Sequence, residues 1–217
     1  MTNEKNKKVV IVDYAMGNIF SVKLACQKVG ICAIVSNDKK EISNASALIL
    51  PGVGAFADAM ATLEKLDLVR TIKEFIASGR PFLGICLGMQ LLMSESEEFG
   101  LHKGLDIIKG RVVKFPAVND KVPQVGWNQI TKPSYSNINW EETLLKGLSE
   151  KDFMYFVHSF YVLPNNNNIV VSETNYAGLN YCSSLREKNI YACQFHPEKS
   201  GESGLLIYRN FYNLINK

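Results

Sequence analysis

The stretch Pro81-Phe82-Leu83-Gly84-Ile85-Cys86-Leu87-Gly88-Met89-Gln90-Leu91-Leu92-Met93 decides how this chain is read. Residues 81–85 form a short, unbroken apolar run of the kind that fills a central parallel strand, and residues 87–93 continue as the start of a helix. Cys86 stands at the junction, with Gly84 and Gly88 two residues to either side. A sharp strand-to-helix turn exposes the side chain it carries. Flanking glycines tolerate strained backbone angles and leave room for a substrate carbonyl to approach the sulfur. The thiolate is the attacking form, and the positive end of a helix favours it. Cys86 is therefore the candidate nucleophile.

A thiol nucleophile needs a base, and the base needs a group to orient it. Near the C-terminus, Tyr191-Ala192-Cys193-Gln194-Phe195-His196-Pro197-Glu198-Lys199 reads as a short strand entering a proline-stopped turn, with His196 and Glu198 on the same side. His196 can take the Cys86 proton and return it to a leaving amine, while Glu198 holds the imidazole tautomer and supports the imidazolium. The chain has three histidines, so alternatives are few. His102 falls in a polar loop after Gly100, and His158 in the aromatic run of residues 153–161.

Working outward, the first half alternates strand and helix. Residues 9–13 are an apolar strand, followed by a helix with Ile19, Val22, Cys26 and Val29 on one face up to Gly30. Residues 31–36 and 47–50 read as the next strands. Pro51-Gly52-Val53-Gly54 and a helix carrying Leu68, Ile72, Phe75 and Ile76 follow, up to Ser78-Gly79. Such β-α-β repetition predicts a mostly parallel sheet with helices on both faces and a ligand crevice at the carboxyl ends of the strands. Strand-like runs at 107–115, 153–163, 169–172, 177–184 and 190–195 predict an antiparallel extension, closed by a helix over 204–214. Residues 164–168 are a surface turn. With neither linker nor repeat, residues 1–217 read as one α/β domain.

Composition narrows the classes. At 217 residues and 47% hydrophobic content the chain can bury a sizeable core. A net charge of +3, with the basic residues scattered, argues against a nucleic-acid or anionic-membrane surface. No apolar run reaches spanning length, and residues 1–8 are polar with no signal-type hydrophobic region behind them, so a cytoplasmic location is expected. Five cysteines without C-x-x-C spacing fit reduced thiols rather than a disulfide framework or a metal site. Cys26, Cys32, Cys182 and Cys193 read as small hydrophobes on helix or strand faces.

GICLGMQ followed far downstream by QFHPE resembles the class I, or triad, glutamine amidotransferases. VDYAMGNIFSV at 12–22, PGVGAF at 51–56, VGWN at 125–128, FVHSFYV at 156–162 and QFHPEKSG at 194–201 narrow the resemblance to the glutaminase subunits of imidazole glycerol phosphate synthase, in order along nearly the whole chain. Pro123-Gln124 stands where histidine commonly precedes GWN in those subunits, and Ala15 where glycine is usual.

The resemblance implies glutamine hydrolysis through a Cys86 thioester, with no cofactor and no metal. It implies an oxyanion hole from the amide of Leu87 and one near Val53 or Gly54, and substrate contacts at Gly52, Gln90, Ser159 and Phe160. It further implies ammonia delivery, in histidine biosynthesis, to a (β/α)₈-barrel cyclase held as a heterodimer against Trp127 and Lys199. That partner would convert a ribulosyl phosphate substrate into imidazole glycerol phosphate and an aminoimidazole carboxamide ribotide. A paralogous glutaminase serving surface-polysaccharide sugar synthesis would share the same chemistry. A stand-alone Cys-His γ-glutamyl hydrolase would not call for the GWN and HPEKSG segments, and an inactive interaction module would not keep nucleophile, base and orienter together.

Overall fold

The computed structural model describes residues 7–116 and 121–216. Most of the polar 1–8 stretch, and the outermost residues of the 1–217 domain reading, lie outside the described residues.

The first half builds β1 (Val9–Val12), α1 (Ile19–Lys28), β2 (Ala33–Ser36), α2 (Lys39–Asn44), β3 (Ala47–Gly52), α3 (Phe56–Lys65), α4 (Val69–Ala77), β4 (Phe82–Cys86) and α5 (Leu87–Gln90). Gly30 and Gly79, both at positive φ, stop α1 and α4, and the Asp38 carboxylate caps α2 by accepting from the N–H groups of Lys40 and Glu41 at 2.7 and 3.1 Å. The second half builds β5 (Met93–Ser96), β6 (His102–Lys103), β7 (Ile108–Lys114), β8 (Gln124–Gln129), β9 (Phe153–His158), β10 (Phe160–Pro164), β11 (Val170–Tyr176), β12 (Leu179–Glu187), β13 (Ile190–Cys193) and α6 (Gly201–Ile215).

The main sheet runs β2-β1-β3-β4-β13-β12-β10-β7-β5-β6, with β11 added on β12. From β2 to β13 all neighbours are parallel. β12, β10 and β7 continue antiparallel, as the sequence predicts. Period-two alternation divides the strands between two cores. Val10, Val12, Leu48 and Leu50 face Ile42, Phe56 and Ile72 of α2, α3 and α4, while Val9, Ile11, Ala47 and Ile49 face Val22 and Cys26 of α1 and Ile207 and Phe211 of α6. Each such aliphatic side chain taken out of water contributes about 1.5–3 kcal/mol, which is why the sheet carries helices on both faces.

Four expectations change. The helix after Cys86 is one turn long rather than reaching residue 93, because the chain at 105–108 claims its carbonyls: Leu91 O accepts from Leu105, Leu92 O from Ile107 and Ile108, and Met93 O from Asp106. Residues 91–93 therefore pass into β5, which pairs with β7. The single run at 153–163 breaks at Ser159 into β9, which joins β8 in a separate two-stranded ribbon, and β10, which enters the main sheet. Cys32 lies exposed between α1 and β2, whereas the other four cysteines are buried. His102 sits in β6 rather than in a loop.

Gly84 and Gly88 serve close packing rather than backbone freedom. A Cβ on Gly84 would meet Gly88 O at 2.9 Å, and one on Gly88 would overlap the Leu50 carbonyl oxygen. Ala15, by contrast, holds φ 61, a left-handed conformation that costs an alanine what it does not cost glycine. Opposite effects on stability are expected. Gly88→Ala should lower it by about 1–3 kcal/mol through forced displacement of β3, and Ala15→Gly should raise it by roughly 0.5–1 kcal/mol. Urea midpoints at unchanged m-value measure both.

Candidate active site

β4 lies between β3 and β13 in register Gly52↔Cys86 and Ile85↔Cys193, so the ends of three parallel strands deliver Gly52, Cys86 and the 194–198 segment side by side. Cys86 itself takes φ 53 and ψ −109, outside the regions open to an ordinary side chain, and so stores strain of order 1–3 kcal/mol. Its side chain is held at the top of the sheet. Because α5 is a single turn, its macrodipole is small, and what it offers an anion is chiefly its free first-turn N–H groups.

His196 follows β13 and precedes the 3₁₀ turn Pro197–Lys199, which turns Glu198 back so that its Oε1 lies 2.8 Å from His196 Nδ1. Both side chains are almost completely buried. The ring's other nitrogen, Nε2, has no hydrogen-bond partner, nor does Glu198 Oε2. Burial opposes charging of His196, but the neighbouring Cys86 sulfur, and then the Glu198 carboxylate, outweigh it and hold the imidazole well above its ordinary pKa. The approach of Nε2 to sulfur falls short of hydrogen-bond geometry, as is common where substrate completes the alignment.

A cavity of ≈ 400 Å³ opens at Cys86 and is lined by Val53, Gly54, Leu87, Gln90, Ser159, Phe160 and Lys199 from the predicted set. Gly52 lies beneath it, packed so closely on Leu87 and the Tyr14 hydroxyl that a side chain would collide with both. Tyr14 donates to Pro51 O at 2.7 Å and so anchors the start of the PGVG loop. Trp127 stands away from the cavity on the ribbon, 55% exposed. Its ring packs edge-on to Tyr155, and the Lys199 ammonium lies over the Tyr155 ring, 5.6 Å from its centroid. Tyr155 O accepts from His196 N at 2.9 Å, which ties this surface to the base.

The sequence did not single out Glu98, Gln194 or Tyr155. Glu98 lines the cavity and caps α3 in trans, its Oε2 accepting from Phe56 N at 2.6 Å. Among Glu95, Glu97 and Glu98, three acids in four residues, no pattern distinguishes it. Gln194, fully buried, places Nε2 3.5 Å from Cys86 Sγ. Among the described residues no group of three or more His, Cys, Asp or Glu is placed to hold a metal, and no helix is long and apolar enough to cross a membrane.

A cysteine on a strained elbow, a histidine held by a carboxylate beside it and a cavity opening at the sulfur define a class, and the class I glutamine amidotransferase family model matches residues 10–214. The chain belongs to that family. It is 47% identical over 211 residues to the imidazole glycerol phosphate synthase subunit HisH of Aquifex aeolicus, covering 97% of this chain and 98% of that one. It is 48% identical over 205 residues to the subunit of the same name from Caldanaerobacter subterraneus subsp. tengcongensis, covering 94% and 97%. Within the class, the chain stands among the HisH subunits. The solved structure of PurLQS from Thermotoga maritima superposes with a TM-score of 0.73 at 17% identity, over 95% of this chain and 98% of that one, a likeness of fold.

His158 supplies a pH test of this architecture. It is buried at the cavity wall, its Nδ1 2.9 Å from Phe160 O and its Nε2 3.2 Å from the Tyr181 hydroxyl. Burial, partly offset by the Phe160 carbonyl and reinforced by His196, pushes its pKa down to about 3. The folded imidazole is neutral where the unfolded one protonates, so stability is lost as pH falls below the unfolded value of about 6.5, at roughly 1.4 kcal/mol per pH unit. Between about pH 7 and about pH 5 the chain should lose on the order of 1–2 kcal/mol more than a His158→Gln variant. Urea unfolding at both pH values measures the difference, and parallel losses in the two proteins would exclude it.

Proposed function

We propose that the chain hydrolyses glutamine at Cys86 and passes the ammonia to a synthase partner. The observation that carries this reading is the Cys86 elbow, which opens on the cavity, with the hydrogen-bonded His196–Glu198 pair buried beside its sulfur. The sulfur attacks the side-chain amide carbon of glutamine, and the carbonyl oxygen becomes an oxyanion. Leu87 N–H, at the start of α5, and an amide of Val53 or Gly54 are the donors assigned to it. His196 delivers its proton to the amide nitrogen, the C–N bond breaks, and ammonia leaves a γ-glutamyl thioester. His196, now neutral, takes a proton from water as the oxygen attacks the thioester; the C–S bond breaks, the electron pair returns to sulfur as thiolate beside the re-protonated ring, and glutamate leaves. Glu198 holds the ring throughout. Glu98, the one carboxylate lining the cavity among the described residues, is assigned to the substrate ammonium, while Gln90 and the Ser159–Phe160 backbone, with Gly52 behind Leu87, frame the rest of the amino acid.

Ammonia released to water protonates and is lost, so the mouth must be covered. The exposed Trp127, with Tyr155 and Lys199 beside it, is the surface assigned to that partner. The kinship with HisH subunits supports a heterodimer with a (β/α)₈-barrel cyclase in histidine biosynthesis over the surface-polysaccharide and stand-alone alternatives. Free thiols at all five cysteines fit a cytoplasmic setting, and the whole chain is assigned to one amidotransferase domain.

Cys86→Ala should reduce glutamine-dependent synthesis by on the order of 10⁴-fold or more, while the complex keeps its ammonia-dependent activity. Glu198→Gln should cost less than His196→Ala, and the double variant no more than His196→Ala alone, because the residues act as a unit. Full activity in Glu198→Gln would refute the assignment.

The isolated chain should be a poor glutaminase, activated by its partner and again by the partner's substrate. The PGVG loop, with Gly54 at φ 118, can turn a peptide at little steric cost, and a missing oxyanion donor slows acyl transfer by about two to three powers of ten. Glutamine turnover measured alone, with partner, and with partner plus substrate tests this, and equal rates in all three would sink it.

A further inference from the structure

The orientation of two buried side-chain amides follows here from one backbone carbonyl. Phe160 O can only accept, and Gln90 Nε2 lies 2.9 Å from it, so the nitrogen end of Gln90 must point there. The same nitrogen is 3.0 Å from Gln194 Oε1 and gives its second proton to that oxygen. With its oxygen so engaged, Gln194 turns its own nitrogen toward Cys86 Sγ, at 3.5 Å. The chain of donors therefore runs from the partly buried Phe160 at the cavity wall to the nucleophile, and both amide side chains are buried.

We infer that Gln194 is a catalytic residue that donates an N–H to the Cys86 sulfur, holding it in its attacking position and favouring its thiolate form, with Gln90 linking that donor to the Ser159–Phe160 wall. This rests on the reading of Cys86 as nucleophile. An amide nitrogen cannot take the thiol proton, so the role complements that of His196 rather than duplicating it. It also leaves Gln90 with only its oxygen free to face the cavity, so Gln90 meets a substrate N–H or ammonium and not a carboxylate. His196, Cys193, Tyr14 and Tyr181 are the titratable groups electrostatically coupled to Cys86, and none is altered by changing Gln194.

The test is alkylation of the full chain with iodoacetamide over a pH series, read peptide by peptide by mass spectrometry, with the exposed Cys32 as internal reference. Gln194→Met keeps the volume and removes the donor; Gln194→Glu keeps the shape and places an acceptor against the sulfur. Both should move the Cys86 profile to more alkaline pH, Glu further than Met, leaving the Cys32 profile in place. With the partner present, Gln194→Met should lower kcat by roughly tenfold while KM changes little. Folded variants with an unshifted Cys86 profile would overturn the inference, as would failure of both to fold, which would make Gln194 a packing residue. A wild-type chain whose Cys86 is no more reactive than its buried cysteines would instead overturn the nucleophile assignment itself.

Discussion

The chemistry of this chain depends on β4 being flanked by parallel strands on both sides. Parallel pairing fixes which ends come together, so the carboxyl ends of β3, β4 and β13 arrive at one edge in a register set to the residue. Gly52, Cys86 and the turn bearing His196 and Glu198 come from distant parts of the sequence and meet because their strands are neighbours. The register is in turn fixed by alternation: slipping β1 or β3 by one residue would exchange the side chains belonging to the two cores. Catalytic geometry and core packing are therefore the same constraint at this point.

Electrostatics then assigns roles to two buried histidines. His196 and His158 are both deeply buried, and burial disfavours charge on each. His196 has a carboxylate at 2.8 Å and the sulfur nearby, so its charged form is favoured. His158 has a carbonyl and a phenol, which do not compensate the lost hydration, and it stays neutral. The charged form favoured at His196 suits the proton-carrying role proposed for it, while the neutral His158 ties β9 to Phe160 O beside the cavity.

Much of this was legible in the sequence where chemistry dictates residue type. Cys86, His196 and Glu198 could be put forward as a set because a thiol nucleophile needs a base and an orienter, and the structure brings them together; the parallel half was legible because continuous apolar runs alternate with amphipathic ones. The remainder is settled by contacts that sequence does not display. Leu91-Leu92-Met93 suits a helix as well as a strand, and the outcome is decided by carbonyls taken up by residues 105–108. The break at Ser159 has no local signal, because its cause is the pairing of β9 with β8 and of β10 with β7. Gln194 alternates like any inward-facing strand residue, and only the fixed polarity of Phe160 O shows which way its amide points.

The backbone of Cys86 has a consequence for the history of the chain. At φ 53 and ψ −109, a population of sequences selected for folding alone would drift to glycine, since every side chain there opposes the conformation. A cysteine at such a position therefore carries a stability deficit that a glycine would not, at the residue proposed to be the nucleophile. Substitutions that firm up the surrounding strands would offset it.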